Sequence, residues 1–115
     1  MVWQLPAGMV DTKNSLKSAK KELLEEIGIR AEKWKRLGEF YVAPGHENTK
    51  IIVYVAKNIK KYKEAKTEEI NIKHIKFFSK PEIISMIKQN KLLCGITLAS
   101  LNLYFQRQRD KNIPT

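Results

Sequence analysis

Six consecutive residues, Ile51-Ile52-Val53-Tyr54-Val55-Ala56, are apolar or aromatic and mostly β-branched, with no charge among them. A strand of that composition offers no face to water, so the run predicts a central strand covered on both faces. Two covered faces require two further layers. The chain therefore reads as α/β or α+β, a sheet sandwiched between helices. At 115 residues it has the length of one domain, 1–115, with one real core. A 43% hydrophobic share excludes disorder, and 5 Gly, 4 Pro and 1 Cys exclude collagen-like and disulfide-rich classes. No apolar run reaches membrane-spanning length, so no membrane association is expected. Met1 to Pro6 has neither the basic nor the long apolar region of a signal peptide. A single cysteine, Cys94, suits a reducing cytoplasm.

The other elements follow from periodicity and punctuation. Val2 to Leu5 reads as a short strand stopped by Pro6. Ser15 to Ile27 carries Leu16, Ala19, Leu23 and Ile27 at helical spacing, with Asn14 or Ser15 as cap and Gly28 as terminator. Trp34 to Val42 reads as a strand interrupted at Gly38, followed by a loop from Ala43 to Thr49. Lys57 to Thr67 reads as a lysine-rich loop, and Ile70 to Phe78 as a strand whose phase changes after His74. Pro81 opens a short helix to about Gln89. Thr97 to Arg109 reads as a longer helix with Leu98, Leu101 and Phe105 in register, and the tail 110–115 as frayed.

On the first helix Glu22, Glu25 and Glu26 stand at i, i+3 and i+4, on one face beside the apolar stripe. Like charges at this spacing disfavour a helix by roughly 0.2–0.5 kcal/mol per pair. A hard divalent cation relieves that repulsion, and Mg²⁺ usually takes one or two carboxylates with water and substrate phosphates. The alternative is a solvated acidic face balanced by Lys17, Lys20 and Lys21.

Leu5-Pro6-Ala7-Gly8, then a loop, then Ala19 to Ile29 closely resembles the signature of the Nudix hydrolase family. That signature runs Gly, five residues, Glu, seven residues, Arg-Glu, an aliphatic, any residue, Glu-Glu, any residue, Gly, an aliphatic. The second half matches here except that Lys21 stands for Arg. In the first half Asn14 stands where Glu is expected, and the stretch from Asn14 to Lys21 is one residue short. Leu-Pro-Ala-Gly before the box, Pro44 fifteen residues after Ile29, and Gly38-Glu39-Phe40-Tyr41 resemble the ADP-ribose pyrophosphatase branch. So does the acidic stretch Glu68-Glu69 before Ile70.

The resemblance implies a Nudix-like α/β/α sandwich with a mixed sheet, here lacking the front strands of the full-length family. It implies hydrolysis of ADP-ribose, or a related nucleoside diphosphate sugar, to AMP and a sugar phosphate. Mg²⁺ or Mn²⁺ would be held by Glu22 and Glu26, with Glu25 as support or further ligand and the Ala7 carbonyl as another. Lys21, a point charge, would orient the box glutamates more loosely than an arginine fork. A late-loop glutamate would act on the attacking water. Lys66-Thr67-Glu68 lacks the first carboxylate of the branch's Glu-any-Glu pattern, which leaves Glu68, then Glu69 or Glu64. Pro44, Gly45 and His46 would line the substrate, and an open sheet edge would favour a homodimer.

Two other readings stand beside this one. Asn14, Lys21 and Lys66 are compatible with a Nudix-fold binding or interaction module of impaired catalysis. The balance of 22 Lys+Arg against 12 Asp+Glu, net +10, is compatible with nucleic-acid binding. The basic residues are spread over loops and both ends, which counts against that role. His74, Trp3 and Trp34 read as structural.

Overall fold

A computed structural model of the chain describes residues 3–6, 14–43, 45, 47–61 and 75–108. In chain order they form α1 (Ser15–Ile27), β1 (Ile29–Ala43), β2 (Glu47–Lys61), α2 (Lys80–Lys88) and α3 (Gly95–Gln108). This is the mixed α+β class expected.

Helix α1 has the bounds its apolar spacing predicts. The Asn14 side chain accepts from the Lys17 N–H at 3.2 Å, so Asn14 rather than Ser15 is the cap. Gly28 ends the helix in the left-handed conformation (φ 74°, ψ 27°), its N–H donating to the Leu24 carbonyl at 2.9 Å. Only glycine adopts that conformation freely. Gly28→Ala should therefore lower stability by about 1–2 kcal/mol in chemical denaturation, whereas Gly28→Asn should cost less.

β1 and β2 form an antiparallel hairpin in register from Ile29↔Lys61 to Ala43↔Glu47. Both strands exceed their expected bounds: β1 begins at Ile29, and β2 takes in Lys57 to Lys61, a stretch that reads as loop in the sequence. The interruption expected at Gly38 is a register shift between Arg36 and Gly38. Arg36 and Gly38 pair with the adjacent residues Tyr54 and Val53, which leaves Leu37 as the extra residue of a bulge. Among the described residues the sheet is this antiparallel ladder.

Helices cover both faces of the ribbon. Side chains of adjacent strand residues point to opposite faces. Tyr54 shares a hydrogen bond with Ser15 Oγ at the start of α1. On the other face Val53 is buried opposite Gly38, and Leu103 of α3 lies 3.5 Å from where a Cβ on Gly38 would sit. The expected cover on both faces of 51–56 is thus met by α1 on one side and α3 on the other. The buried apolar residues are Leu37, Val53, Leu92 and Leu101.

α2 starts on a reciprocal cap. The Ser79 N–H donates to Glu82 Oε1 at 2.9 Å, and the Glu82 N–H to Ser79 Oγ at 3.3 Å. These bonds, led by the one from the Ser79 backbone, hold the Glu82 carboxyl below its ordinary value of 4.5. A lowered folded-state pKa adds stability that is present above the unfolded value and lost as pH falls through the folded one. The start of α2 should therefore fray on acidification below about pH 4.5, read as loss of amide protection at Glu82, and Glu82→Gln should remove that pH dependence.

Two expectations change. Trp3 to Pro6 is irregular rather than a strand, as is the stretch 75–79. The Leu5 N–H instead donates to Thr97 Oγ1 at 3.1 Å, which holds this segment against the first turn of α3. Cys94 is half-buried where α3 begins, its carbonyl accepting from the Leu98 N–H. Hydrogen bonds from Thr97, side chain first, hold its thiol below the ordinary value. His74 and the tail lie outside the described residues.

Candidate active site

α1 carries the acidic face, and its position is set at both ends. Asn14 and Gly28 stop the helix, and the Ser15–Tyr54 hydrogen bond ties its first turn to β2. Tyr54 is braced by the edge of Trp34, with ring centroids 6.4 Å apart at 72°. The Trp34 indole donates to the Ala31 carbonyl at 3.1 Å. Trp34 is thus a structural residue, as expected, and so is Trp3, which packs edge-on against Phe78 at 5.2 Å. No local pattern in the sequence points to Ser15, Tyr54 or Thr97; those contacts join residues far apart in the chain.

Glu22, Glu25 and Glu26 are each half-buried on α1, which packs on both strands. Among the described residues, no three His, Cys, Asp or Glu side chains converge as a ready metal cage. A pair of helix carboxylates does suit the donor chemistry of a hard divalent ion such as Mg²⁺, which completes its shell with water and substrate oxygens. Gly45 is exposed at the tip of the hairpin, with φ 88°. Ala7, Pro44, His46, Glu64, Glu68 and Glu69 lie outside the described residues.

A helix with this carboxylate pattern, leading through a left-handed glycine into a β-ribbon between two helices, defines a class. The sequence model of the NUDIX domain matches residues 1–92, and the chain belongs to the Nudix family. At the level of individual proteins, it is 34% identical over 61 residues to an ADP-ribose pyrophosphatase of Mycobacterium tuberculosis (strain ATCC 25618 / H37Rv). That match covers 51% of this chain and 30% of the mycobacterial protein, so the chain spans less than a third of its relative.

Proposed function

We propose that this chain is a metal-dependent hydrolase of ADP-ribose or a related nucleoside diphosphate sugar. Water attacks one phosphorus of the pyrophosphate, the bridging P–O bond breaks, and AMP and a sugar phosphate leave. Glu22 and Glu26 hold a Mg²⁺ or Mn²⁺ ion, Glu25 supports them or ligates as well, and the Ala7 carbonyl adds an oxygen. The ion, when bound, supplies charge neutralisation at the phosphate oxygens. Glu68 or Glu69 receives a proton from the attacking water, and Pro44, Gly45 and His46 border the substrate.

The observation that carries this reading is the set of three half-buried glutamates on α1 within a chain that belongs to the Nudix family. The mycobacterial relative's name supports the substrate class. The test is release of AMP from ADP-ribose with Mg²⁺, abolished by a chelator and restored by excess metal. Absence of metal-dependent release removes the proposal.

We infer a cytoplasmic setting from the single cysteine. No described helix is long and apolar enough to cross a membrane. A homodimer is consistent with the groove of about 390 Å³ beside Ile59, Ile75 and Phe77, of which Phe77 is 67% exposed. One observation favours a second reading, a nucleotide-binding module without turnover. Asn14, standing where the family signature has a carboxylate, serves as the helix cap. Saturable ADP-ribose binding without hydrolysis would single out that reading.

A further inference from the structure

Helix α1 lies on the ribbon with none of its residues buried. Half-buried side chains alone fix the roll of a helix about its axis weakly, because no close-packed knob resists the turn. A directed bond resists it better. Ser15, in the first turn of α1, shares a hydrogen bond with the Tyr54 hydroxyl on β2. Tyr54 is itself held in place. The edge of Trp34 packs on its ring at 6.4 Å, and the Trp34 indole donates to the Ala31 carbonyl. The anchor of α1 is therefore built on the ribbon, not on a loop.

The helical repeat decides what that anchor orients. Glu22 and Glu26 stand seven and eleven residues after Ser15. At about 100° per residue, both fall within about 20° of the Ser15 line along the helix. Glu25 falls about 80° to one side. The exposed Lys17, Lys20 and Lys21 fall on the far side, roughly 140–240° round. Ser15, Glu22 and Glu26 thus share the ribbon side of α1, and all three are half-buried. A roll of about 20° would carry a side chain at the outer radius of the helix by about 2 Å. Mg²⁺ needs its oxygens at about 2.0–2.1 Å in near-ideal octahedral geometry, so a roll of that size is enough to spoil a site.

We propose that the Tyr54 hydroxyl is a positioning group for the α1 carboxylates. By gripping Ser15 it locks the roll of the helix and holds Glu22 and Glu26 at one fixed place beside the ribbon. This inference rests on the reading that those glutamates hold a divalent ion.

The test is titration of the full chain with Mn²⁺, read by electron paramagnetic resonance of the free ion and by calorimetry. The parent chain should bind Mn²⁺, and Glu26→Gln should weaken that binding. Tyr54→Phe keeps the ring against Trp34 and removes the hydroxyl alone. It should weaken Mn²⁺ binding about three- to tenfold, the range expected for loss of one hydrogen bond. Ser15→Ala should do the same. The double variant should lose no more than either single one, because the two hydroxyls share one bond. Ser15→Thr keeps a hydroxyl and should retain the parent affinity. Tyr104→Phe, which loses a phenol bonded to Gln108 on α3, should leave Mn²⁺ binding unchanged. Amides 18–27 should keep their exchange protection in every variant, marking a helix that is turned but intact. A parent that binds Mn²⁺ while Tyr54→Phe and Ser15→Ala stay within twofold of it would overturn the proposal and leave the metal reading standing. A parent that binds no Mn²⁺ would remove both. Fully additive losses, or loss of protection throughout α1, would also overturn the proposal, the latter because the bond would then serve only to keep the helix folded. If Tyr54→Phe does not fold, Ser15→Ala decides alone.

Discussion

Glu26→Gln is expected to lower metal-dependent release of AMP from ADP-ribose by about 10²–10³-fold. The size follows from removing one preorganised charge acting where charge develops in phosphoryl transfer. Glutamine keeps the shape and helix propensity of the side chain and gives up the anionic oxygen. The loss should therefore appear at a Tm within a few degrees of the parent chain. Raising Mg²⁺ should recover part of it if the lesion lies in metal affinity. Steady-state kinetics across a metal titration separates that case from a lowered rate at saturation. A Glu26→Gln chain as active as the parent would remove α1 from the chemistry. Lys21→Arg supplies the complementary measurement, since a fork that holds the box glutamates in place should raise the rate.

Leu37→Ala should have the largest effect on stability. Leu37 is 4% exposed and occupies the bulge of β1, on the strand that packs against both α1 and α3. Truncating a buried leucine costs about 2–5 kcal/mol, against a total of about 5–15 kcal/mol for a typical domain. The described core is small, with Val53, Leu92 and Leu101 as its other buried apolar residues, so little neighbouring structure is free to close the cavity. Thermal unfolding should show a fall in Tm of roughly 10 °C or more. Tyr41→Ala, at a side chain 50% exposed at the far end of the same strand, should move Tm by no more than about 2 °C. Equal effects at the two positions would mean that the bulge is not a packing centre.

Local chemistry makes α1 legible from its residues alone. Its apolar spacing, a capping asparagine and a terminating glycine are all near neighbours in sequence, and the helix occupies the expected Ser15–Ile27. The same holds for α2, whose Pro81 opening and Ser79–Glu82 cap lie within a few residues. The apolar run 51–56 announces a strand with cover on both faces. The extent of the ribbon is less legible. Lys57, Lys60 and Lys61 look like loop residues, yet they complete β2 because β1 offers them hydrogen-bonding partners. Strand pairing can override weak β-propensity in that way.

The carboxylate trio of the candidate site can be read from helical spacing, because Glu22, Glu25 and Glu26 lie within two turns. The residues that position their helix cannot. Ser15 reaches Tyr54 across 39 residues, and Leu5 reaches Thr97 across 92. Such pairs form only when the ribbon and the helices come together. The cleft of about 600 Å³ between the ribbon and α3 belongs to the same category. In sequence Lys33, Lys35, Lys57 and Arg107 are four members of a scattered basic set. The antiparallel register and the packing of α3 turn them into one surface. Sequence by itself determined the class of fold, the limits of α1 and the candidate metal ligands, all of which depend on neighbours along the chain. The tertiary structure decided what lies on each face of the ribbon, because registry and layering depend on contacts that no local pattern encodes.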